Sequence, residues 1–107
     1  MSREAYVEST VKRCTTMLGR WKGATAVLHE LTVSHKTLKI VLRMADRPGH
    51  LLLACIDPAT IRAPVQWMNS DLSVVWRGSN FDVIDSNGAV EITDCTVEVH
   101  ESVTISP

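Results

Sequence analysis

At Gly23 the hydrophobic period of this chain changes from 3.6 residues to 2, and it stays near 2 for the rest of its length. Before the change, Val7, Val11, Cys14, Leu18 and Trp21 recur at steps of four, three, four and three, which sets them on one face of a helix. Ser2 can cap that helix, Glu4 in the first turn suits the dipole, and Gly19 and Gly23 bracket its end. The spacing predicts one helix over 3–21. A single amphipathic helix followed only by strands leaves two layers, a sheet and the helix that covers it.

The strands are read from alternation. Val27, Leu31 and Val33 share one face of the first. Leu38, Ile40, Leu42 and Met44 alternate with Lys39, Val41 and Arg43 in the second, after a turn at Ser34-His35-Lys36-Thr37. Arg47-Pro48-Gly49 is a turn, with Pro fixing φ and Gly taking φ > 0. The run 51–56 is apolar on both faces and is expected at the centre of the sheet. Asp57-Pro58-Ala59-Thr60 turns the chain again.

Ile61, Ala63, Val65 and Trp67 then alternate with Arg62, Pro64 and Gln66, and Pro64 places this strand at an edge. A loop over 68–71 returns it as Leu72, Val74 and Trp76, which would set Ala63 opposite Trp76 and Trp67 opposite Leu72. Ser86-Asn87-Gly88 reads as a type I′ turn between strands over 81–85 and 89–99. Ile92 and Cys95 have opposite parity, which predicts a bulge at Thr93-Asp94. Val103 and Ile105 close the chain as a last short strand or tail. The fold expected is α+β: one helix on a twisted antiparallel meander of seven to eight short strands over 24–106, a sheet or half-barrel, within one domain spanning 1–107.

Charge is divided along the chain. Residues 1–54 carry nine Lys/Arg and four Asp/Glu, residues 55–107 carry two and eight, and the whole chain is at −1. From Gly78 onward there are six carboxylates (Asp82, Asp85, Glu91, Asp94, Glu98, Glu101) and no Lys or Arg. Two readings follow: the halves neutralise each other, with Glu91, Glu98 and Glu101 pairing across strands to Lys39, Arg43 or Arg77, or an acidic face is left for a basic partner. Trp67 and Trp76, core residues by default, would be anchors for that partner if exposed.

Other classes find less support. Cys14, Cys55 and Cys95 are odd in number, form no C-x-x-C and sit among apolar residues, as reduced, buried thiols do. No apolar run approaches the ~20 residues of a membrane span, and the N-terminus lacks a secretory layout, so a cytoplasmic location is expected. His29-Glu30 begins like a zinc-protease motif, but Val33 stands where its second His belongs. Cys95 and His100 fall on opposite faces of a continuous strand, which argues against a metal pair. Neither a nucleophile elbow nor a phosphate loop is present, so no catalytic residue and no cofactor is expected. Sparse aromatics and the acidic C-terminal third weigh against nucleic acid as a partner.

Two resemblances add to this. Gly19-Arg20-Trp21 closing a helix before a β meander, with Thr93-Asp94-Cys95 later, resembles lipocalin-type barrels. That likeness implies Trp21 plugging one barrel end and an apolar small molecule bound within, although the late-strand Arg of those proteins is missing after Arg77. Gly19-Arg20-Trp21, then His29-Glu30, Leu38-x-Ile40-x-Leu42 and a final Val97-x-Val99-x-x-x-Val103 near Pro107, is similar to small bacterial immunity proteins that neutralise polymorphic toxins. This second resemblance implies a cytoplasmic, non-enzymatic binding module whose partner is one basic toxin. The acidic contact set would be Asp82, Asp85, Glu91, Asp94, Glu98 and Glu101, with Trp67 or Trp76 as anchor and a homo-oligomer left open.

Overall fold

The computed structural model describes residues 2–32 and 36–102, with the side chains of 30–32 left aside. Helix α1 (Arg3–Arg20) begins as the sequence predicts: the Ser2 hydroxyl accepts from the Ala5 N–H, and Glu4 lies in the first turn. Its apolar stripe buries Cys14 and Leu18, continues into Trp21, and packs Val7 and Val11 against the same core.

Among the described residues eight strands follow: β1 (Thr25–Thr32), β2 (Thr37–Arg43), β3 (His50–Ile56), β4 (Thr60–Arg62), β5 (Gln66–Trp67), β6 (Ser73–Trp76), β7 (Phe81–Asp85) and β8 (Val90–Ser102). They form an antiparallel sheet in the order β5-β1-β2-β3-β8-β7-β6, with β4 on β8, curled into a half-barrel. The first three strands and the last three are each a meander, and the two meet where β3 pairs with β8. The run 51–56 lies at the centre of this order as expected, with Leu51, Leu53 and Cys55 fully buried on the inner face.

The bulge at Thr93-Asp94 gives β8 its reach. Register shifts by one residue between Phe81↔Cys95 and Val83↔Ile92, and Asp94 takes φ 55. One side of β8 pairs with β4 and then β3. The other pairs with β7 as far as Cys95, and beyond it α1 takes over, the Arg13 guanidinium donating to the Val99 carbonyl at 3.2 Å. Helix α1 contacts β6 and β8. The inner face is filled by Trp21, Phe81, Leu38, Ile40, Leu42 and Leu53, each nearly or wholly inaccessible.

Four local readings change. Among the described side chains of β1 the buried one is Ala26 rather than Val27, because a bulge between Leu28 and Glu30 shifts the phase on which that reading depended; Val33, Ser34 and His35 lie outside the described residues, as do Val103 and Ile105. The expected strand through Pro64 is two strands: β4 pairs with β8 and β5 with β1. The hairpin joining Trp67 to Leu72 therefore does not form, and β6 pairs with β7 alone. The 86–89 turn is a four-residue loop between Asp85 and Val90, with its positive φ at Ala89 (53°) rather than at Asn87 or Gly88. Gly88 is needed for space: a Cβ there would meet Trp67 Cδ1 at 2.5 Å.

Candidate functional site

The six late carboxylates do not share one surface. Alternation along β7 puts Phe81, Val83 and Asp85 on the inner face, so Asp85 is buried. Its Oδ2 accepts from Trp67 Nε1 and from the Asp71 N–H, both at 2.8 Å, and its Oδ1 accepts from the Asn87 N–H at 2.9 Å. Three donors from three segments make this carboxylate a structural acceptor. Trp67 is buried with it.

Asp82 and Glu101 are engaged in a similar way nearer the surface. Asp82 accepts from Arg77 Nε at 3.0 Å and from the Asp94 N–H at 3.1 Å, so one side chain both pairs with a cation and fixes the bulge. Glu101 accepts from Trp21 Nε1 at 2.7 Å and pairs with Arg20 at 3.3 Å, tying the end of α1 to the end of β8. Arg47 completes that corner, its guanidinium 4.4 Å from the Trp21 ring centroid. Ion pairs that join the two halves include Arg20–Glu101 and Lys22–Asp71, the latter at 3.9 Å, while Arg77–Asp82 is local to the β6–β7 turn.

Glu91, Asp94 and Glu98 remain, all exposed along β8. Glu98 lies 3.7 Å from His100, each about 60 % accessible (58 % and 61 %), an arrangement open to water on its outer side. Cross-strand, Glu98 faces Ala54 and Glu91 faces Ile84 and Arg62. The outward side of β8 therefore carries a row of three carboxylates.

No family model, curated protein or solved structure matches the chain.

Beside the acidic row, a groove of about 360 Å³ runs between α1 and β8, lined by Tyr6, Arg13, Val97, Glu98, Val99 and His100. A second, of about 420 Å³, lies between the start of α1 and half-buried Trp76. Trp76 is held from both sides there, by an edge-to-face contact with Phe81 at 5.0 Å and by Arg3 over its ring at 5.6 Å. Both grooves lie along the helix.

The three thiols are buried and free. The Cys55 thiol is held far above its ordinary range, first by a hydrogen bond with Cys95 and then by burial. Burial likewise pushes Cys14 up, partly offset by the nearby Arg13 charge. Cys95 Sγ donates to the Phe81 carbonyl at 3.5 Å. Such thiols behave as small apolar side chains. Among the described residues no group of three or more His, Cys, Asp or Glu is placed to hold a metal ion, and no helix is long and apolar enough to cross a membrane.

Sequence reasoning gave six acids equal standing, and parity separates them. Asp85 has the phase of Phe81 and Val83, and Glu101 that of Val97 and Val99, so their inward placement was available from the alternation itself. Val65, expected on the same strand face as Ala63 and Trp67, is largely exposed, as is Met68 in the loop after Trp67.

Proposed function

We propose that this chain is a non-enzymatic protein-binding module, an immunity-type inhibitor that neutralises a basic toxin through the outer face of β8. The observation that carries the reading is the row Glu91, Asp94 and Glu98. These three carboxylates stay exposed while Asp82, Asp85 and Glu101 are committed within the fold. Exposed like charges on a rigid strand raise a local potential that attracts a cationic surface and speeds its encounter. Asp82 fixes the bulge that carries Asp94, and Glu101 ties the end of β8 to α1. Trp67, buried on Asp85, is removed from the anchor role, and half-buried Trp76 lines the groove at the start of α1. The lipocalin-like reading gains no support from the inner face, where Trp21, Phe81 and the β2–β3 leucines occupy the space a ligand would need.

The test is a pull-down from native-cell lysate washed at low and high salt, repeated with the Glu91→Lys/Asp94→Lys/Glu98→Lys variant. The expected result is one stoichiometric basic protein, released by salt and lost with the variant, that arrests growth when expressed alone and not with this chain. Capture by the folded variant with unchanged salt dependence would remove the acidic row from the interface.

A further inference from the structure

Of the four most exposed large apolar side chains among the described residues, three lie between residues 61 and 68: Ile61 (40 %), Val65 (73 %) and Met68 (74 %). The segment from Ala63 to Ser70 carries no charge. It contains β5, which ends the sheet, so no described strand lies on its outer side. An edge strand of a soluble protein is ordinarily guarded by charge. This one is guarded only by Pro64 and by its shortness.

Register fixes what the edge offers. The Leu28 N–H donates to the Val65 carbonyl at 2.8 Å, in line with the pairs Val27↔Gln66 and Ala26↔Trp67. Residues 65 and 67 therefore turn their backbone polar groups to β1, and Gln66 directs its N–H and C=O away from the sheet. We propose that β5 pairs with β5 of a second copy of this chain, antiparallel about a two-fold axis through Gln66. Gln66 of one copy then faces Gln66 of the other and exchanges both backbone hydrogen bonds with it. Two residues out, the Met68 N–H meets the Pro64 carbonyl of the second copy. Pro64 removes only the bond for which it would have been the donor. Met68 covers Pro64 across the pair, and Val65 comes beside the edge of the second copy's Trp67.

A second copy suits this edge better than a charged partner does. The segment presents nothing for an ion to pair with, an uncharged edge meets its own image without like charges opposed, and the chain is near neutrality at −1. The two-fold closes the assembly at two copies, because each β5 is consumed by the other. The proposal is independent of the acidic row on β8.

Sedimentation velocity of the full chain, from about 10 µM to about 1 mM, covers the affinities expected of so small an interface. The expected result is a mass that climbs from one chain towards two with concentration, while Met68→Lys and Gln66→Pro, folded by circular dichroism, stay at one. Gln66→Cys treated with oxidised glutathione is expected to give a disulfide-linked dimer, since directly opposed residues of a hydrogen-bonded pair lie about 5.5 Å apart at Cα, within disulfide reach. Ser79→Cys, exposed away from the edge, is the control. A wild-type chain that remains at one-chain mass throughout would overturn the pairing. So would a dimer that persists in folded Met68→Lys, or cross-linking equal at 66 and 79. A monomer whose Met68→Lys variant loses the pulled-down partner would overturn it as well, and would give the edge to that partner.

Discussion

Trp67 Nε1 donates to Asp85 Oδ2 at 2.8 Å in the interior, joining the last residue of β5 to the last residue of β7 across strands that are not paired with each other. The same carboxylate holds the Asp71 and Asn87 N–H groups, so loops 68–71 and 86–89 are fixed by one side chain. Asp85→Ala leaves one buried and two partly buried donors without their acceptor and is expected to cost about 2–4 kcal/mol. Urea unfolding followed by tryptophan fluorescence measures this. A loss below about 0.5 kcal/mol, the size of an ordinary surface change, would contradict the role.

Gly88 and Gly19 are expected to respond to alanine with opposite sign. At Gly88 the new methyl runs into the Trp67 ring, which Asp85 and β1 hold in place, and the strain is put at about 1–3 kcal/mol. At Gly19, inside α1, a Cβ meets nothing within 4 Å, and alanine gains about 0.5–1 kcal/mol from helix propensity. Thermal melts of the two variants beside the wild type give both signs in one experiment.

Glu101→Ala removes the acceptor of the buried Trp21 indole and the partner of Arg20, and is expected to destabilise by about 1–3 kcal/mol. Glu101→Gln keeps an acceptor and should recover part of the loss. Because the Arg20 side chain is half exposed (50 %), most of the effect belongs to the indole, and added salt should change it little. A loss that vanishes at high salt would reverse that apportionment.

Alkaline pH is expected to unfold the protein through its thiols. Cys14 is raised above its ordinary value of 9.0 by burial and Cys55 by its hydrogen bond with Cys95 and by burial, while that same bond lowers Cys95; Cys14 and Cys55 thus contribute stability through protons that the unfolded chain releases, and Cys95 offsets part of it. That contribution is complete below about pH 9 and is lost as pH rises further, at up to about 1.4 kcal/mol per pH unit for each thiol. Comparing the urea midpoints of wild type and Cys55→Ala across this range isolates it: the variant's alkaline decline should be shallower. Parallel declines would place the alkaline sensitivity elsewhere.

Elements whose burial is one-sided and uninterrupted were legible from sequence. The stripe from Val7 to Trp21 gives α1 to within a residue, the run 51–56 gives the central strand, and the Ile92/Cys95 parity change gives the bulge. Legibility ended where backbone pairing, rather than side-chain pattern, decides. A bulge at 29 moves the phase of β1 by one, and Pro64 lets a single alternating stretch pair in two directions. The composition of the acidic face was misread because charge was counted along the chain before being sorted by strand phase. Gly88 was assigned to backbone freedom, when its requirement comes from a ring twenty-one residues away in sequence.

The junction of β3 with β8 brings His50 opposite Ser102, the most distant pairing in the sheet, and joins a cationic half of the chain to an anionic one. Each meander closes locally, so the seam between them is the slow, entropically expensive step of folding. Opposite net charges draw the halves together before any contact at that seam exists. The uneven distribution of charge then acts as an internal guide for docking, and refolding should slow as ionic strength rises even where the equilibrium stability hardly moves.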